Sequence, residues 1–352
     1  MIRILRSRIA SVLALAALGF PACSNASSDE SDSVASPELQ GALFVANKRG
    51  ASLSRIDLET GEETHRAETC DNPHELTVPA SGKFVIVACY SGRTLEVFHT
   101  ADLSPAGSGS IELGDNARVH SAIWQDGDRI FAGAEGRGSF YIIALAANTN
   151  GPPPAVATLE IGGGGPGPHL IAVNSDETQA WGTIIPTGEV VRYDLSRQVE
   201  AARAKIGDQI EAIALAPDES ALWVSSNSDS IAYRLNPMTL EVEAEVETGA
   251  IPIRLAMHPS GDFVVSSNLG DGNLSVIDTR SNRVVRTIEV SGSREAVQVT
   301  LVFSADGERL YAAETAANTI AEIDFASGKV LRRLATGEGG DGLAVLERSD
   351  TK

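Results

Sequence analysis

Apolar and polar residues alternate in short runs along most of this chain. Gly, Pro, Asp and Ser break the runs at regular intervals. Pro73-His74-Glu75-Leu76-Thr77-Val78 is followed by a Ser81-Gly82 turn and Phe84-Val85-Ile86-Val87. Pro252-Ile253-Arg254-Leu255-Ala256-Met257 is followed by Ser260-Gly261 and Phe263-Val264-Val265. Ile210-Glu211-Ala212-Ile213-Ala214-Leu215 is followed by Pro217-Asp218-Glu219 and Leu222-Trp223-Val224. Period-two alternation with β-branched residues predicts strands, and the Ser-Gly and Asp-Gly pairs predict tight turns.

These segments form a repeat. Its first turn falls at Gly82, Gly127, Glu177, Glu219, Gly261 and Gly307, giving spacings of 45, 50, 42, 42 and 46 residues. The longest spacing holds a stretch from Asn148 to Gly167, with Pro152-Pro153-Pro154 and Gly162 to Gly165, whose composition predicts a loop. Leu274-Ser275-Val276-Ile277-Asp278 and Val284-Val285-Arg286-Thr287-Ile288 typify a third and a fourth strand. Four short strands per repeat of this length predict a β-propeller blade. The region starts in mid-repeat, because Leu43-Phe44-Val45-Ala46-Asn47 matches second strands. It finishes on a lone first strand, Leu343-Ala344-Val345-Leu346. That strand should complete the first blade and close the ring without an open edge. The expected fold is all-β, a propeller of seven four-stranded antiparallel blades over residues 41–352.

The blades resemble the YVTN-type repeat family of secreted bacterial and archaeal propellers. The likeness is carried by Asn273-Leu274-Ser275-Val276-Ile277-Asp278-Thr279 and by Ser304-Ala305-Asp306-Gly307-Glu308-Arg309-Leu310-Tyr311. It implies a scaffold and leaves the role open, since one fold hosts many functions. WD and kelch signatures are absent.

The N-terminus reads as an address. Arg3, Arg6 and Arg8 precede an apolar run from Ile9 to Phe20, which fits the core of a signal peptide, residues 1–22. Phe20-Pro21-Ala22-Cys23 resembles the lipobox of bacterial lipoproteins, with Phe20 where Leu is usual. The resemblance implies lipidation at Cys23, and ordinary secretion with cleavage nearby is the alternative. Residues 23–40, rich in Ser, Asp and Glu, read as a disordered tether. The expected location is the cell envelope. The chain would be held on a membrane through its lipid, on the periplasmic side of the outer membrane if Ser24 acts as a sorting residue.

Composition narrows the function. The 28 basic and 47 acidic residues leave a formal net charge of −19, which repels a phosphate backbone, so nucleic acid is not an expected partner. Aromatics are 5%, too few for a stacked carbohydrate platform. The three Trp residues read as blade core.

Histidine placement is the main candidate for chemistry. One repeat position, at the start of the innermost strand, is occupied in turn by His74, His120, His169, Glu211, Ile253, Val299 and Asp341. Glu75 adds a carboxylate beside His74. Imidazoles and carboxylates converging from separate blades suit a divalent ion such as zinc or copper, or a small ligand, at one channel mouth. The competing explanation is repeat drift, with each His bonding a neighbouring blade. His65, His99 and His258 fall at turn positions and read as ordinary.

Cys70 and Cys89 flank the first two strands of their blade. In a hairpin turning near Ala80 and Ser81, paired positions sum to about 161, and these two sum to 159, within disulfide reach. Cys70, His74, Cys89, His120 and His169 together look like periplasmic zinc-metallochaperone propellers of the AztD type. That likeness implies zinc on channel-mouth His and acidic residues, passed to a transporter's binding protein. Lactonase propellers resemble the stretch Gly249 to Pro259, but their Arg-His pair is Ile253-Arg254 here. A hydrolase would need Arg118, His120 and Glu75 to rebuild the site. The third reading is a protein–protein interaction scaffold in the periplasm with no catalytic residues.

Overall fold

Seven antiparallel sheets of four strands make up the described chain. In this computed structural model the described residues are 41–125, 127–146 and 155–347. The signal peptide, Cys23 and the tether therefore lie outside the described residues. Blade 2 consists of Pro73–Thr77, Phe84–Cys89, Thr94–His99 and Pro105–Glu112. Blades 3 to 7 begin with the inner strands Val119–Trp124, Ile171–Val173, Ile210–Leu215, Pro252–Met257 and Gln298–Phe303. Blade 1 joins the two ends of the described chain. Its inner strand, Gly340–Leu346, pairs with Ala42–Asn47, so the fold is a closed seven-bladed β-propeller.

Burial explains the order within each blade. Second strands such as Ala42–Asn47 and Phe84–Cys89 are buried along their whole length, because blades pack on both faces. Outer strands such as Arg283–Glu289 alternate exposed with more buried positions and carry charge at both ends, in Arg283 and Glu289, which discourages edge pairing. Each of seven apolar clusters draws on two adjacent blades. Trp181 and Val190 of blade 4, for instance, meet Ile210 and Leu222 of blade 5. Trp124, Trp181 and Trp223 are all buried.

One expectation needs correcting. The stretch from Asn148 to Gly167 is not all loop, because Ala155–Gly162 is the outer strand of blade 3 and pairs with Ser139–Leu145. Its alternating Thr158, Leu159, Glu160 and Ile161 supply a strand pattern that the flanking Pro and Gly obscure. His65 and His99 likewise lie within strands rather than turns.

A repeated backbone device starts the inner strands. The residue just before the strand is left-handed at Asn72, Arg118, Gln209, Ile251, Val297 and Gly339, with φ of 56°, 47°, 50°, 56°, 50° and 74°. For β-branched Ile251 and Val297 this conformation is costly and needs support from its surroundings. The ladder then skips. Register shifts fall between Pro73 and Leu76, Val119 and Ser121, Ile210 and Ile213, Pro252 and Arg254, and Gln298 and Leu301. A bulge frees a residue from strict alternation and re-aims its side chain.

Candidate functional site

Two residues beyond each left-handed position stand His74, His120, Glu211, Ile253, Val299 and Asp341. Each therefore begins an inner strand at the point where the ladder is interrupted. His169 comes to the same end by another route, its N–H donating to Thr183 O at 2.8 Å just before Ile171–Val173.

The three histidines form one stack across blades 2, 3 and 4. The rings of His74 and His120 are 3.9 Å apart, and those of His120 and His169 are 3.5 Å apart. All three are buried. Nδ1 of His74, Nδ1 of His120 and Nε2 of His169 have no hydrogen-bond partner, which is costly for buried polar atoms. Carboxylates stand against this stack. Glu75 Oε1 is 3.6 Å from His74 Nδ1, and Glu211 Oε1 is 3.4 Å from His169 Nε2. Asp341 Oδ2 is 3.4 Å from His74 Nε2. All six residues expected at the mouth are thus brought together. Gly342 makes room for this approach, since a Cβ there would lie 1.8 Å from His74 O.

The side chains point into the channel. Arg254 of blade 6 reaches Glu75 of blade 2 at 3.1 Å and Glu211 of blade 5 at 2.6 Å. Blades 2 and 6 are not neighbours, so that contact crosses the axis. Lys48 Nζ lies 2.9 Å from both His74 Nε2 and Asp341 Oδ2. On the far side of the stack, His169 Nδ1 is 3.1 Å from Glu135 Oε2. Tyr90 packs edge-on against His74 and His120, and its hydroxyl accepts from Arg118. Arg118 is thereby engaged by Tyr90, not by His120.

The electrostatics follow from burial and pairing. Burial pushes the His120 imidazole well below its usual range, and His169 and His74 push it further. These effects favour the neutral form of His120, the form that binds metal. Burial also works against charge on His169, but the Glu135 and Glu211 carboxylates beside its two ring nitrogens outweigh it and raise its pKa. Burial pushes the Glu75 and Glu211 carboxyls up. Arg254 and His74 overcome this at Glu75, and His169 and Arg254 at Glu211, holding both at about 2.

The donor set fits a borderline divalent ion. Zinc bonds of about 2.0–2.1 Å in tetrahedral geometry place two ligand atoms about 3.3–3.4 Å apart. The His169–Glu211 separation equals that spacing and the His74–Glu75 separation is 0.2 Å beyond it. One ligand atom each from His74, Glu75 and His120 lie within 4.8 Å of one another. Cys70 and Cys89 are not thiolate ligands. They form a disulfide with Cα atoms 5.9 Å apart, and Cys70 lies in the loop ahead of the inner strand instead of in the ladder.

No protein-family profile and no curated protein matches this sequence. Solved structures do match it in fold. One is the dihydro-heme d1 dehydrogenase NirN, in complex with DHE. It aligns with a TM-score of 0.62 and 11% identity over 86% of this chain and 74% of that chain. At that identity the likeness concerns the fold alone.

Lys48, Tyr90, Glu135, Asn227 and Arg254 were not singled out as members of the site from the sequence. The first four share a signal. Each is the residue immediately after the second strand of its blade, in the series Lys48, Tyr90, Glu135, Ile185, Asn227, Leu269, Thr315. The steps are 42, 45, 50, 42, 42 and 46, the spacing of the turn series, so the same repeat frame finds them. Arg254 escapes that frame because it stands one position past Ile253, where the ladder of its blade resumes after the shift.

Proposed function

We propose that this chain is a binding protein of the cell envelope that holds a divalent metal, zinc or copper, at one channel mouth. Its blades are of the YVTN type, and it is anchored through a lipid on Cys23 and exported by the preceding signal peptide. The observation that carries the metal reading is the three-histidine stack, with three buried unpartnered ring nitrogens and carboxylates at ligand spacing from two of them. His74, His120 and Glu75 form the nearest ligand set, with His169 and Glu211 completing it and Asp341 orienting His74. A carboxylate behind a ligating histidine fixes its tautomer and raises its basicity.

A purely structural network would pair its buried ring nitrogens. The interaction-scaffold reading leaves these three nitrogens without a purpose. The lactonase reading is weakened by the diversion of Arg118 to Tyr90.

The test is zinc and copper titration of chelator-stripped protein by calorimetry, alongside the His74→Ala/His120→Ala/His169→Ala variant. The wild type should bind about one ion per chain, and the variant should lose at least a hundredfold in affinity while keeping its β-sheet spectrum. A folded wild type that binds neither ion overturns the reading, and turnover of a lactone panel lost in the same variant would establish the hydrolase instead.

A further inference from the structure

We infer that Arg254 and Lys48 are resident cations of the channel mouth, and that metal loading is an exchange in which they yield their partners to the ion. This rests on the metal reading above and specifies how the site is regulated.

The contacts are specific to single atoms. The Glu75 oxygen that faces the unpartnered His74 Nδ1 is Oε1. That same oxygen accepts from Arg254 Nε at 3.3 Å and Nη2 at 3.1 Å. The Glu211 oxygen that faces the unpartnered His169 Nε2 is also Oε1. It accepts from Arg254 Nη1 at 2.6 Å. One guanidinium therefore holds both oxygens that an ion would need. Its planar fork suits this, because it can bond two carboxylates at once.

Lys48 plays the same part at His74. Its ammonium can only donate, so His74 Nε2 accepts and the ring proton belongs on Nδ1. Ligation through Nδ1 requires that proton to move to Nε2. Asp341 Oδ2, 3.4 Å away, accepts it there once the ammonium withdraws. No proton is gained or lost in this change of tautomer. Lys48 has somewhere to go, with its side chain 35% exposed, whereas that of Arg254 is 7% exposed.

Without an ion, the two cations keep three buried or half-buried carboxylates, Glu75, Glu211 and Asp341, from repelling one another. Buried charge left unpaired is strongly destabilising. The device keeps the metal-free ring folded, and its cost is a weaker hold on the ion.

The experiment compares wild type, Lys48→Met and Arg254→Met as full-length chains, each stripped with chelator. Zinc affinity is measured by competition with a chromogenic chelator, and thermal melting with and without zinc. Both variants should bind zinc at least tenfold more tightly than wild type. Arg254→Met should also melt lower without zinc and gain more from zinc than wild type does. Lys48→Met, altered at a partly exposed position, provides the answer if Arg254→Met does not fold. Unchanged or weaker zinc affinity in folded Lys48→Met overturns the exchange while leaving the metal site standing. No zinc binding by the wild type overturns the metal reading itself. If in that case the variants bind zinc, the cations block the site outright, and exchange is overturned with it.

Discussion

The two sides of the channel mouth share one backbone and differ in what it presents. In blades 2 to 5 and blade 1, the position two past the left-handed residue, or its equivalent in blade 4, carries His, His, His, Glu and Asp. In blades 6 and 7 it carries Ile253 and Val299, which join the apolar cluster of Leu43, Tyr311 and Leu343. Blade 4 aside, the bulge and the left-handed residue are the same on both sides, with Ile251 and Val297 at φ of 56° and 50°. The geometry therefore belongs to the scaffold and the chemistry to a few substitutions at one position. The second series shows a similar split. Lys48, Tyr90, Glu135 and Asn227 serve the polar side, and Leu269 packs on the apolar cluster.

The polar side also needs more bracing. A buried polar network loses its value when its members move. Cys70–Cys89 ties the loop ahead of His74 to the second strand of its blade, across a separation of 19 residues. The Cys70→Ala/Cys89→Ala variant should lose about 3 kcal/mol in urea melts, from loop entropy alone. Its zinc affinity should fall as well, because His74 follows the freed loop. An equal loss of stability with undiminished zinc affinity would show that the brace serves the fold and not the site.

A smaller effect is expected from adding chemistry to the apolar side. Val299→His puts an imidazole in the right frame but among apolar neighbours, leaving polar atoms without partners. It should cost about 2 kcal/mol and add nothing to zinc affinity. A stable variant with tighter zinc binding would mean that the two sides are interchangeable.

The smallest change concerns support for one carboxylate. Asn227 Nδ2 donates to Glu211 Oε2 at 2.5 Å. Asn227→Ala should cost about 1.5 kcal/mol, the range for a hydrogen bond to a charged group. Calorimetry should then show a severalfold loss of zinc affinity. No loss would place Glu211 outside the ligand set.

Much of this was legible in the sequence, because a repeat states its geometry seven times over. Turn spacing gave the blade, and the mismatch between first and last segments gave the closure. The same frame aligned His74, His120 and His169 before any coordinates. It failed where composition hid a strand, at Ala155–Gly162, whose neighbours are Pro- and Gly-rich. It also could not foresee Arg254, because its contacts cross the axis. Contact between non-adjacent blades has no period, and a repeat frame registers only what recurs.

Ring closure carries a consequence for timing. Lys48 and Asp341, 2.9 Å apart, are separated by 293 residues in sequence. Their pairing depends on Gly340–Leu346 docking on Ala42–Asn47, the most widely separated strand pairing among the described residues, and such non-local contacts are slow to form because the loop between them must be closed first. The channel mouth is thus a product of completion. A chain made from its N-terminus has every histidine in hand before it has Asp341. Until the last strand arrives, His74 lacks the Asp341 carboxylate that lies 3.4 Å from its Nε2.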